Sequence, residues 1–375
     1  MRTHSLLSPS SAHRWMTCPG SVALCRDLPS EESDYAAEGT AAHALAEALL
    51  TGKTYDVPAE YDTPDFRAHV QTYVDFVKLF GGVLDVEVRV DLSPWLGGET
   101  YGTADAVVWE GDDLYIIDLK FGMGYVDAHR NPQLALYAMG YLSMCEQFDC
   151  VARLHLCIVQ PRIGSISQWD VWPYELRLFI DTLMKKAVIA RTMAELPESE
   201  AVCVPNAAAC KFCRARGTCR ALSDAVSATV SGSEPATLAP EELAEAYGRL
   251  GLVKIWQEAV EKTVYARLLN GEPVPGLKLV EGRKGTRKWR SDADALKAIQ
   301  AAGITADVFE KKLLSPAKME KLLKDDTITK AQWDALAPEI TQENTKPTVT
   351  DESDKRPEYR PAELAYPNME TETNG

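Results

Sequence analysis

Tyr101-Gly-Thr-Ala-Asp-Ala-Val-Val-Trp-Glu-Gly-Asp-Asp-Leu-Tyr-Ile-Ile-Asp-Leu-Lys120 is the stretch on which the fold turns. Two runs rich in β-branched and aromatic residues, 101–109 and 114–120, flank Gly111-Asp112, a pair suited to a two-residue hairpin turn. That turn pairs Glu110 with Asp113 and Trp109 with Leu114, and carrying the register onward sets Asp105 opposite Asp118. Directly opposed Cβ atoms lie about 4.5–5.5 Å apart, where two carboxylates repel by roughly 3 kcal/mol at an effective dielectric near 20. Lys120, two residues on and on the same face, offsets part of this, and a divalent cation held by oxygen ligands would complete the neutralisation. Such a set suits phosphodiester hydrolysis: the carboxylates hold Mg²⁺ or Mn²⁺, the metal acidifies a water, and lysine orients that water or steadies the phosphate. The plainer reading is a solvated ion pair on an exposed hairpin. The apolar flanks in Ile116-Ile-Asp-Leu-Lys-Phe-Gly122 weigh against it, because charges on a central strand need a reason.

Upstream, residues 38–50 (EGTAAHALAEALL) and 65–80 read as helices. Residues 85–91 (DVEVRVD) alternate strictly, placing Val86, Val88 and Val90 inward and Glu87 with the charged set outward. His43 and Glu47 share one helix face. Downstream, Asn131-Pro132 opens a helix to about Cys145 that carries Gln133 and Tyr137 four residues apart. Strands near 151–160 and 165–172 and a helix near 174–195 follow. The expected class is α/β, with a sheet core that is antiparallel over 85–120.

The chain has 375 residues, 46% of them hydrophobic and 25% charged, enough for a full core in one main and one smaller domain. No apolar run reaches the 18 or more residues of a membrane span, and the first fifteen residues lack a signal-peptide core, so a cytoplasmic address without membrane contact is expected. The net charge of -15 excludes a globally basic nucleic-acid binder and confines any DNA contact to local patches. One such patch is residues 278–290 (KLVEGRKGTRKWR), read as a hairpin in which Trp289 can stack on a base and Arg283, Lys284, Arg287, Lys288 and Arg290 can meet phosphates. The Ser/Ala/Thr-rich stretch 223–239 reads as a linker between a domain at 1–222 and a mainly helical module at 240–340. Residues 341–375 have the composition of a disordered tail.

The ordered set His43, Glu87, Gly102-x-x-Asp105, Asp118-Leu119-Lys120 and Gln133-x-x-x-Tyr137 resembles the RecB-like branch of the PD-(D/E)XK nucleases, including AddB-type and CRISPR-associated exonucleases. The resemblance covers about residues 8–222. Ser8–Ser21 (SPSSAHRWMTCPGS) also resembles a family of phage and prophage proteins in this superfamily. It implies a restriction-endonuclease-like core, a mixed central sheet flanked by helices, in which His43, Asp105, Asp118 and the Leu119 carbonyl are metal ligands. Glu87 supplies a further acidic group, Lys120 is the catalytic lysine, and Gln133 and Tyr137 support the site and the DNA backbone. It further implies an exonuclease that resects DNA ends beside a single-strand annealing recombinase, for which a ring or dimer encircling DNA would suit processive action.

Nine cysteines without an export signal point to ligation rather than disulfides. Cys210-x2-Cys213-x5-Cys219 lies among Lys211, Arg214, Arg216 and Arg220 and needs a fourth ligand. Local sequence offers Cys203, giving a Zn²⁺ site. The family resemblance offers Cys18 and a 4Fe-4S cluster that staples the N-terminus to the end of the core, with Cys25 as a stand-in. Cys145, Cys150 and Cys157 fall in helix or strand patterns and read as core residues.

Overall fold

The computed structural model describes residues 6–29, 34–145, 150–231, 234–278, 323–325 and 329–336. The chain forms two compact units, Met1–Glu281 and Gly282–Gly375.

The first unit opens with α1 (Ala12–Thr17), α2 (Ser21–Cys25) and α3 (Asp34–Thr51). Helix α4 (Pro64–Val77) starts where Thr63 accepts the Phe66 N–H and Pro64 takes the first turn, and it buries Phe66, Val70, Tyr73, Val74 and Val77. There follow β1 (Val83–Asp91), α5 (Ser93–Leu96), β2 (Tyr101–Glu110), β3 (Asp113–Leu119) and α6 (Pro132–Cys145). The sheet closes with β4 (Arg153–Gln160) and β5 (Ser165–Val171), after which come α7 (Pro173–Glu195), α8 (Ala207–Lys211), α9 (Arg220–Val230) and α10 (Pro240–Leu269). In the second unit the described helix is α11, Lys330–Leu336. Among the described residues no helix is long and apolar enough to cross a membrane.

The five strands lie in the order β1-β2-β3-β4-β5. All neighbours are antiparallel except β3 and β4, which run parallel with Leu119 beside Val159. A parallel pair needs a crossover, and α6 lies in that connection. The β2–β3 hairpin has the register its turn dictates, from Glu110↔Asp113 to Ala106↔Ile117, with Gly111 at φ 63°. One face of the sheet packs on α6, α7 and the N-terminal segment through Trp15, Leu134, Leu136, Met139, Ile180 and Leu183. The other packs on α3 and α4 through Ala42, Leu45, Phe66, Val70 and Val74.

Strict alternation fails at one place. Ala104 faces the α6/α7 layer and Ala106 the α3/α4 layer, although both are even-numbered; Val88 and Leu84 on β1 are divided in the same way. The switch falls at Asp105 and at Glu87, which would oppose each other in a ladder that pairs Val86 with Ala106 and Val88 with Ala104. Glu87 there takes φ 53°, a sparsely populated conformation for a residue with a side chain. The expectation that Val86, Val88 and Val90 share one inward face is therefore corrected: Val88 and Val90 do, while Val86 precedes the switch.

The expected linker at 223–239 is also corrected. Residues 220–230 are helical, and Leu222 and Val226, one turn apart, pack with Leu252 and Ile255 of α10 and with Cys210. The compact unit thus runs to Glu281, well past the expected boundary at 222. The Ser/Ala-rich composition concealed a two-residue apolar stripe. Arg283, Lys284, Arg287, Lys288, Trp289 and Arg290 of the expected basic hairpin, and the tail at 341–375, lie outside the described residues.

Candidate active site and cysteine cluster

At the carboxyl end of β3 the sequence-predicted residues meet from five elements, α3, β1, β2, β3 and α6. His43 of α3 places Nδ1 3.2 Å from Asp105 Oδ1. Glu87 joins these two, and ligand atoms of all three lie within 4.8 Å of one another. The other Asp105 oxygen accepts the Leu119 N–H at 2.7 Å, which ties β2 to β3 just where their ladder stops.

Asp118, 1% exposed, belongs to a second network on the α6 side. Lys120 Nζ lies 2.7 Å from Asp118 Oδ2 and donates to Gln133 Oε1 at 3.0 Å. Gln133 Nε2 donates to Asp118 Oδ1 and to the Tyr137 hydroxyl, each at 3.0 Å. Gln133 is set at the start of α6 because Asn131 Oδ1 accepts the N–H groups of residues 133 and 134. Tyr137 is accommodated by Gly102, where a Cβ would come within 2.6 Å of its ring. Glu47, by contrast, turns away from the site to Lys53 at 3.1 Å.

Burial raises the Asp118 carboxyl to about 6 against the pull of Lys120, and Asp105 adds to the rise. Burial would lower the His43 pKa, but Asp105 overcomes it and leaves the imidazole raised. Lys120 is likewise raised, the Asp118 and Asp105 charges outweighing its desolvation. Tyr73, within the helix expected at 65–80 and not singled out in the sequence, donates its buried hydroxyl to the Ile117 carbonyl. Its pKa is raised well above the usual phenol value, first by burial and then by Asp105, Asp118 and Glu87.

The second constellation lies where the N-terminal helices meet the segment after α7. Gly20 N–H bonds the Val202 carbonyl at 2.9 Å, and Val204 N–H bonds Cys18 Sγ at 3.2 Å. Cys18, Cys203, Cys210, Cys213 and Cys219 line one cavity together with Arg14 and Arg216. Hydrogen bonding by Cys203 lowers Cys18 and Cys219 to about 6, while Cys203 itself is raised. Cys213 Sγ lies 3.7 Å from Cys25 Sγ. The two candidates for a fourth ligand, Cys18 and Cys203, are therefore neighbours, and Cys25 enters through Cys213. Sequence spacing alone offered no sign of this proximity. Among the remaining cysteines, Cys157 is buried and Cys145 half-buried; Cys150 is exposed, correcting its reading as a core residue.

The family described as "Protein of unknown function (DUF2800)" matches residues 4–357. Among solved structures, "Crystal structure of SSO0001" aligns at 15% identity over 56% of this chain and 84% of that one, with a TM-score of 0.27.

Proposed function

The chain belongs to the DUF2800 family, and we propose that it is a divalent-metal-dependent deoxyribonuclease built on a PD-(D/E)XK-type core. The observation that carries this reading is the junction of two networks at one sheet end: His43, Glu87 and Asp105 gathered within 4.8 Å, beside Asp118, Lys120, Gln133 and Tyr137. The donors are carboxylates and an imidazole, a set that suits Mg²⁺ or Mn²⁺. His43, Glu87, Asp105, Asp118 and the Leu119 carbonyl would hold it. Bound there, the ion supplies positive charge for the phosphate and a more acidic attacking water.

The remaining steps fall to the chain. Lys120 holds the attacking water or a phosphate oxygen, and Gln133, itself steadied by Tyr137, keeps the ammonium aimed. The resemblance to RecB-like nucleases supports exonucleolytic end resection, with a single-strand annealing recombinase as partner.

The cysteines support a structural cofactor. A 4Fe-4S cluster on Cys18, Cys210, Cys213 and Cys219 would join the N-terminus to the segment after α7 without redox chemistry. The contact of Cys203 with Cys18 and Cys219 favours, as a second reading, Zn²⁺ on Cys203, Cys210, Cys213 and Cys219.

End-labelled linear duplex and single strand, incubated with Mg²⁺ or Mn²⁺ and with chelator, test the nuclease. Metal-dependent loss of label by wild type and not by Lys120→Ala is expected. DNA binding without cleavage under every condition would overturn the reading in favour of a silent DNA-binding module.

A further inference from the structure

The segment leading from Lys120 into α6 is tied down along its length. Gln160, 1% exposed at the end of β4, accepts the Val126 N–H at 2.7 Å and donates to the carbonyls of Gly124 at 2.8 Å and Gly122 at 3.4 Å. Ser167 on β5 accepts the Ala128 N–H and donates to Asp127 Oδ1, each at 2.9 Å. Asp127 Oδ1 also accepts the His129 N–H at 3.0 Å.

On this fixed base Met123 and Tyr125 stand 61% and 64% exposed, whereas Phe121 is buried against Phe66. A held backbone loses little further entropy on binding, and the Tyr125 side chain, with two torsions, adds little more. Gly122 and Gly124 alternate with them. Neither has a positive φ, and a Cβ on either would meet nothing within 4 Å, so the fold itself does not demand glycine at these positions. Bare backbone is useful where another chain must pass close by.

The position of the loop is fixed by the parallel ladder. Leu119 lies beside Val159, and Lys120 N–H bonds the Val159 carbonyl at 3.0 Å, so Gln160 and the loop it holds share the carboxyl edge of β3 and β4 with Lys120. Ligands of sheets with parallel strands bind outside that edge.

We propose that Met123 and Tyr125 form a stacking platform for unpaired nucleobases next to the phosphodiester to be cut, with Gly122 and Gly124 leaving room for the sugar-phosphate backbone. The inference rests on the nuclease reading and narrows its substrate to a single-stranded or frayed end, because bases inside a duplex have both faces occupied. Every base has a π-face, so the platform carries little sequence preference.

The test uses the full chain and single-stranded oligonucleotides carrying 2-aminopurine at or near either end. In Lys120→Ala protein with Mn²⁺, the probe's fluorescence is quenched by stacking; adding Tyr125→Ala removes the quench and adding Tyr125→Phe keeps it. In otherwise wild-type protein, Tyr125→Ala raises KM for single strand by roughly 5- to 150-fold, the range to which base–aromatic stacking corresponds, and by more than it lowers kcat; Met123→Ala, which removes a thioether rather than a ring, raises KM by less. Unchanged quenching and unchanged KM in both variants, alongside metal-dependent cleavage by wild type, overturn the platform alone. Absence of quenching in Lys120→Ala protein, together with absence of cleavage by wild type, overturns both the platform and the nuclease reading.

Discussion

Gln133 donates Nε2–H to Asp118 Oδ1 across 3.0 Å, so the first turn of α6 holds a carboxylate that the hairpin's second strand presents. The same side chain accepts from Lys120 Nζ. A primary amide can serve both partners because it carries donors and an acceptor at one end; a carboxylate in its place would accept from Lys120 but repel Asp118. Gln133→Leu, close in volume, leaves these buried groups short of partners and should cost about 1–3 kcal/mol of stability. The cleavage assay should show kcat falling further than KM rises, and wild-type kcat would remove Gln133 from the site.

The metal-free protein should lose stability as pH rises. Folding raises the Asp118 carboxyl from 3.8 to about 6 through burial, so its contribution is full below 3.8 and is lost as pH climbs through about 6. The raised His43 imidazole acts in the same direction, its contribution being full below its ordinary 6.5 and lost above its folded value. In chelator, Tm should therefore fall as pH rises from 3.8 through about 6, and fall further above 6.5. Mn²⁺ should restore it at the upper end, and Asp118→Asn should flatten the slope. A level profile for wild type in chelator would contradict this electrostatic picture.

Gly102→Ala tests whether the ring of Tyr137 must sit where it does. The new methyl would lie 2.6 Å from Tyr137 Cε1 and 2.8 Å from Pro9 Cγ, too close for either to stay in place. Overpacking of this kind costs about 1–3 kcal/mol, measurable by denaturant unfolding. Cleavage should fall as well, because Tyr137 is displaced from Gln133.

The cysteines separate by substitution. Protein purified without oxygen should be brown if a cluster is present, and Cys18→Ser should bleach it while Cys203→Ser leaves it coloured. Colourless protein with stoichiometric zinc that is lost in Cys203→Ser would assign the site to Zn²⁺.

Local chemistry made much of the architecture legible. Gly111-Asp112 dictates the β2–β3 register, and Asn131-Pro132 marks the start of α6, because turn and cap preferences act over a few residues. The face switch at Glu87 and Asp105 was not legible, because DVEVRVD keeps perfect polar alternation while the backbone turns over at Glu87. The set His43, Asp105, Asp118, Lys120 and Gln133 was readable as a list, but its division into two networks depends on that switch. Nor could spacing place Cys25 beside Cys213 or dock α10 on α9, since both depend on contacts distant in sequence.

The bond from Gly20 to Val202 joins positions separated by 182 residues (202 minus 20), and it has a consequence for biosynthesis. At roughly 5–20 residues per second, the Gly20 N–H waits on the order of 10–40 s for the Val202 carbonyl to be translated. Every strand of the sheet leaves the ribosome before that closure, so the sheet can assemble with this bond still open. A nascent chain with Val171 outside the ribosome and Val202 still inside it should therefore display an ordered sheet while the Gly20 amide still exchanges freely with solvent.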